Sequence, residues 1–399
     1  MNARELAKVF TEEYLEEARN AHQVGKFVAY TTAVSPVEIL RAHDFIPIYP
    51  ENHSVSLITR RLCQSLSEVI EKQGYTSHLC AYARCDLGWR DVRESPAGGI
   101  PDPDFLLSCN AQCFTLVKWF EILSRRYKVP LFVFDTPQWI RDGERRKEIL
   151  NYCVMQLKEL ISTLEEITGR KFDYDRLREV VRLSDKACRL YRKFLDMAAY
   201  KPSPITIFDA LIHMAIIVYL RGTPQAVTYY EVLVQEIEEK VKRKEAAVPG
   251  ERFRLYWENL PVWFKFRDHF NLLASYGAAI LTSLYVHDWA HEFEPDKDPL
   301  LTLAENYVSG FSNVTLEERA DMALELFERY NLNGMIMFIN RSCKAVSFAV
   351  HELKELLTEK TGIPALVFEA DMGDPRFYSE VQVRSRIEAY LETLSELVG

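Results

Sequence analysis

Short apolar runs separated by helix-length stretches set the strongest limit on how this chain folds. Phe27–Thr31, Phe45–Tyr49, Phe105–Ser108 and Leu131–Phe134 lie near one end, and Phe253–Trp257, Ala279–Tyr285, Met335–Ile339 and Ala365–Glu369 lie near the other. Such runs suit strands covered on both faces, and strands that alternate with helices build parallel sheets. The short helix Val37–Ala42 follows Pro36, whose missing N–H costs nothing in a first helical turn. Between the two sets, from Gly143 to about Gly250, apolar residues recur at helical spacing with little β-branched alternation. The expectation is an α/β chain of two Rossmann-like open parallel-sheet domains with a helical insert between them, divided as 1–142, 143–250 and 251–399. Helices are expected over Ser56–Lys72, Leu116–Arg126 and Ser379–Leu397, and a loop over Pro96–Pro103. The similar order of the two sets suggests a pseudo-repeat, although no residue-level repeat supports it.

Charge and hydropathy remove several classes of function. A net charge of −9 without a basic cluster argues against nucleic acid as a partner. The run Glu236–Glu245 alternates in sign and reads as a solvated helix face. No apolar run reaches membrane-span length, and the most apolar stretch, Ala210–Leu220, is interrupted by His213 and reads as a core helix. The first residues are acidic and helical in pattern rather than signal-like, so a cytoplasmic protein is expected. Eight cysteines without close regular pairing do not make a secreted disulfide framework.

The candidate chemistry centres on Cys80, in the stretch Gly74–Gly88. It has no second cysteine two positions away, so neither a zinc ribbon nor a dithiol redox motif is present. Cys113 and Cys343 each follow a strand-like run, and three thiolates at strand ends could converge on one iron-sulfur site with a fourth position open. The alternative is three scattered buried thiols. Cys85 and Cys109 are possible extra ligands or tuning thiols, whereas Cys63, Cys153 and Cys188 sit in helical patterns as small hydrophobes. Glu51 comes straight after a strand and suits either acid–base work or loop capping, with His53 and His287 as the fallback proton carriers. Cys113, Glu51 and Asp135 are expected beyond the carboxyl ends of the strands, where open sheets bind ligands. His287 and His291 are four apart, but the pattern is not His-Glu-x-x-His, so a polar wall or a structural role is the better reading. No phosphate-loop or dinucleotide fingerprint occurs.

The segments Tyr49–Asn52, Gly74–Arg84, Pro103–Cys113, Lys118–Glu121, Tyr285–Ala290, Asn340–Lys344 and Asp374–Arg376 together resemble the benzoyl-CoA reductase and 2-hydroxyacyl-CoA dehydratase family, in the right order over nearly the whole chain. The resemblance implies one 4Fe-4S cluster held by Cys80, Cys113 and Cys343, a related second iron-sulfur subunit as partner, and a separate iron-sulfur ATPase as activator. It further implies a CoA-thioester substrate carried through a ketyl radical, and an active-site glutamate at Glu51. A serine usual in the dehydratases corresponds to Ala33, with Thr32 or Ser35 able to replace its hydroxyl. That departure tilts the expectation toward aryl- or acyl-CoA reduction, with (R)-2-hydroxyacyl-CoA dehydration as the alternative. Cys85 also departs from the usual serine or threonine. A reading of another class is a non-substrate electron-transfer or larger-cluster protein in which Cys85 and Cys109 join the other thiolates.

Overall fold

The computed structural model describes residues 1–93 and 99–398; of the expected loop at 96–103, residues 96–98 lie outside the described residues. Two four-stranded, wholly parallel sheets form the frame. The first contains β1 (Phe27–Thr31), β2 (Phe45–Ile48), β3 (Phe105–Cys109) and β4 (Leu131–Phe134) in the order β2-β1-β3-β4. The second contains β5 (Phe253–Glu258), β6 (Ala278–Thr282), β7 (Gly334–Asn340) and β8 (Ala365–Ala370) in the order β6-β5-β7-β8. The same order therefore occurs twice, each time with the chain running outward in both directions from its first strand. The gap between first and third strands is where a crevice opens at the carboxyl ends of such a sheet.

Burial explains why the runs are continuously apolar. Every residue of β2, β3, β5 and β6 is buried, the edge strands β2 and β6 included, whereas β4 and β8 at the opposite edges are only partly covered. The region between the sheets is helical, with Glu144–Thr168, Tyr174–Asp196, Ile207–Leu220 and Pro224–Lys242. One buried network ties these helices to the sheets. Glu38 accepts from Arg221 at 3.0 Å, Ser184 at 2.8 Å and Tyr307 at 2.6 Å, which joins the helix after β1 to two insert helices and to Pro299–Val308.

Three local expectations are corrected. The helix expected over Ser56–Lys72 is two helices, Pro50–Thr59 and Cys63–Glu71, because Arg61 takes a left-handed φ of 62° between them. The strand expected to run to Tyr285 stops at Thr282, where Ser283 caps the short helix Leu284–His287. Cys80 is not at a strand end: it is the N-cap of the helix Ala81–Val92. That helix packs closely on Cys63–Glu71 at Gly88, where a Cβ would stand 2.0 Å from the Leu66 carbonyl oxygen.

Candidate active site

The Cys80 arrangement recurs at the other two cysteines. Cys113 is the N-cap of Phe114–Tyr127, and Cys343 is the N-cap of Lys344–Ser347. A helix start offers unpaired N–H groups and a positive dipole end, both of which favour an anionic sulfur. Thr115 N–H donates to Cys113 Sγ at 3.3 Å, and backbone N–H groups near Tyr82, Ala83 and Val346 point at the other two thiols. The three thiols come from both halves of the molecule, yet all line one cavity, together with Glu51. It has about 630 Å³ of atom-free space, open solvent included.

Burial, then the neighbouring Cys343, pushes the Cys80 thiol well up, and burial with Cys113 pushes Cys343 up to about 12. Three thiolates crowded in one apolar space repel each other, and a metal centre relieves this because coordination deprotonates a thiol outright. Among the described residues, no three His, Cys, Asp or Glu side chains stand close enough for a single ion. A lone ion needs its sulfurs about 2.3 Å away, whereas a polyatomic cluster takes ligands set wider apart. The donor set fits an iron-sulfur cluster, which is normally held by cysteine.

Glu51 lies in the first turn of Pro50–Thr59, where Pro50 starts the helix. Its Oε2 accepts from Ala33 N–H at 2.7 Å and its Oε1 from Gln112 Nε2 at 2.8 Å. Burial outweighs those two bonds and lifts its pKa from 4.5 to about 7. The hydroxyls that could have replaced a serine at position 33 are otherwise occupied, since Thr32 and Ser35 bond each other at 2.6 Å and Thr32 also accepts from Cys109 N–H. Neither lines the cavity.

Cys85 and Cys109 are fully buried and line a different part of the core, Cys85 against Cys63 and Cys109 near Thr136. Asp135 is engaged with Asn110 and Tyr152, away from the cavity wall. His53 packs edge-on against Trp89 with ring centroids 4.4 Å apart, and burial drops its pKa to about 4. His287 and His291 do not share a helix, which ends at His287, and they face a separate polar space.

Tyr82, Tyr285, Gln112 and Asp288 also line the thiol cavity and are absent from the site read from the sequence. Asp288 follows β6 only after the short helix Leu284–His287, whereas Glu51 sits in the helix that starts directly after β2. Three exposed apolar side chains stand close in sequence to these cysteines, one of them, Phe114, under the Lys118 ammonium. Leu79, next to Cys80, is 41% exposed, Phe114, next to Cys113, is 62%, and Phe348, at the end of the Cys343 helix, is 90%.

A family profile described as 2-hydroxyglutaryl-CoA dehydratase, D-component, matches residues 32–394. The (R)-2-hydroxyisocaproyl-CoA dehydratase alpha subunit of Clostridioides difficile is 31% identical over 99% of this chain and 98% of its own length. The (R)-phenyllactyl-CoA dehydratase alpha subunit of Clostridium sporogenes is 32% identical over 94% of this chain and 92% of its own. One subunit of the benzoyl-CoA reductase of Thauera aromatica is 30% identical over 90% of this chain and 86% of its own. These relatives are acyl-CoA dehydratase and reductase subunits, and with the profile match they show that this chain belongs to the 2-hydroxyglutaryl-CoA dehydratase D-component family.

Proposed function

We propose that this chain is the CoA-thioester-binding subunit of a radical enzyme in which Cys80, Cys113 and Cys343 hold a 4Fe-4S cluster. The observation that carries the reading is the meeting, in one cavity, of three helix-capping thiols with a buried carboxyl. Bound there, such a cluster supplies one low-potential electron and an iron with an open position that acts as a Lewis acid. The chain's own residues do the rest. Thiolates drawn from 1–142 and from 251–399, braced by 143–250, hold the centre between two units, and apolar walls exclude water from the thioester. Glu51, with a pKa near neutrality, holds or gives the proton that a ketyl radical of the thioester requires.

The reaction proposed is aryl- or acyl-CoA reduction. Position 33 presents a methyl and a backbone N–H to Glu51 rather than a hydroxyl, and Thr32 and Ser35 do not compensate. Dehydration of an (R)-2-hydroxyacyl-CoA is the second reading, favoured by the likeness to the dehydratase alpha subunits. The larger-cluster reading loses support because Cys85 and Cys109 do not line the cavity. A related iron-sulfur subunit is the partner, for which exposed Leu79, Phe114 and Phe348 offer apolar contact surface, and a separate iron-sulfur ATPase is the activator. Eight free cysteines accord with a reducing cytoplasm.

The test is anaerobic co-expression with partner and activator, followed by assays with benzoyl-CoA and with 2-hydroxyacyl-CoA thioesters. Serine at Cys80, Cys113 or Cys343 is expected to remove most of the iron and the visible absorbance. Serine at Cys63, Cys153 or Cys188 is expected to leave both unchanged. Full iron and colour in Cys343→Ser overturn the ligand set.

A further inference from the structure

The thiol cavity has a second carboxyl. Asp288, the C-cap of Leu284–His287, lines that cavity and also a neighbouring polar cavity with about 950 Å³ of atom-free space. Among the described residues, no other side chain is shared by the two. Its Oδ1 accepts from Phe311 N–H at 3.1 Å. Gly310 makes room for the carboxyl, since a Cβ there would stand 3.1 Å from Oδ1.

The two sides of this wall differ in kind. On the polar side Asp288 shares the lining with Arg141, Arg192 and Arg329, and with Glu292 and Glu325, a set of polar partners able to hold water. His287 and His291 are there too, but burial drops His287 to about 3 and holds His291 well below its usual value, so both stay neutral and do not trap a passing proton. On the thiol side the Tyr285 phenol is close enough to Glu51 and to Asp288 for each carboxylate to oppose its ionisation. Withdrawal from water lifts Asp288 from 3.8 to about 6, one step below Glu51 at about 7. Glu51 itself is only 4% exposed.

We propose that Asp288 is the proton entry of the thiol cavity, taking protons from water in the polar cavity and passing them, through a water or the Tyr285 hydroxyl, to Glu51. The proposal rests on the acid–base reading of Glu51. Each passage moves one proton and no electron: the Asp288 acid proton goes to the Glu51 carboxylate, and Asp288 regains one from water. Reduction consumes a proton with each electron and so draws on this route at every turnover. Dehydration moves the proton lost from carbon onto the departing hydroxyl and needs no net supply. Loss of Asp288 therefore slows reduction more than dehydration.

The test transfers the assembled protein into heavy water and follows, by infrared spectroscopy, the carboxylic-acid band that Glu51→Gln lacks. In wild type that band is expected to shift within the mixing time. In Asp288→Asn, which keeps an acceptor for Phe311, exchange is expected to slow at least about tenfold, and reductive turnover to fall about a hundredfold, with iron retained. Asp288→Glu restores both. Should Asp288→Asn lose its fold, Asp288→Ser with added formate replaces it: formate accelerates exchange if the route is right, and no response overturns it. Unslowed exchange in Asp288→Asn overturns the proposal. Undiminished turnover in Glu51→Gln would instead overturn the reading of Glu51, a separate result from the exchange rate.

Discussion

At the residue scale, burial sets the chemistry of Glu51. Its carboxyl accepts two hydrogen bonds, each favouring the anion, and still ends about neutral because the cost of burying charge is larger. A folded pKa above the unfolded value means that the folded chain binds this proton more tightly. Its stabilising effect is fully present below about pH 4.5 and is lost as the pH rises to about 7. The slope in that window reaches about 1.4 kcal/mol per pH unit. Urea midpoints of wild type should therefore fall more between about pH 5 and about pH 8 than those of Glu51→Gln. On the proposed function, the same variant should lose about a hundred- to ten-thousand-fold in turnover while keeping iron content and CoA-ester affinity. A parallel loss of iron and activity would assign Glu51 a structural role instead.

At the scale of elements, the placement of Cys80 depends on a charged clasp between the two halves. Arg84, one turn into the Cys80 helix, is fully buried and donates to Asp374 at 2.9 Å and to Glu71 at 3.0 Å. Asp374 follows β8, and Arg376 grips Glu71 and Asp374 from the other side. Cys80 and Cys343 thus come from units that this clasp joins. Removing one partner of a buried pair costs about 3–5 kcal/mol because it strands the other charge. Asp374→Asn leaves Arg84 its bond to Glu71, so a loss of about 3 kcal/mol is expected, with iron released on dilution. The double variant Arg84→Met with Asp374→Leu should recover part of the stability, since well-packed apolar residues often replace such pairs at little cost. Equal loss in the single and double variants would show that packing, not charge, holds the two halves together here.

At the scale of the whole molecule, the cavity mouth is the informative surface. Exposed Leu79, Phe114 and Phe348 each lie beside or near one of the three thiols, although they are far apart in the chain. Single exposed apolar residues are ordinary, so the test is whether these three, each close in sequence to one thiol, act as one contact face. Phe348→Glu should weaken association with the proposed partner subunit by about thirtyfold or more, the effect of losing an anchor worth about 2 kcal/mol. Sedimentation should then find a folded, lighter species. An unchanged complex would place the partner elsewhere. No helix among the described residues is long and apolar enough to cross a membrane.

The strands were legible because parallel strands, covered on both faces, leave uninterrupted apolar runs; β1 and β4 match their expected bounds, and most of the others do so within a residue. The break at Arg61 was not legible, since a left-handed arginine carries no glycine or proline signal. Spacing alone left both three cluster thiols and three scattered thiols open, because cysteines 33 and 230 positions apart say nothing about distance. Tertiary packing decided their distance: the two halves bring three helix starts to one cavity and leave Cys85 and Cys109 in the core. Packing also turned Thr32 and Ser35 toward each other and set Asp288 on a wall between two spaces. Residue type determines which chemistry is available to this chain, whereas burial and hydrogen-bond partners, which exist only once distant segments meet, determine which residues face the substrate.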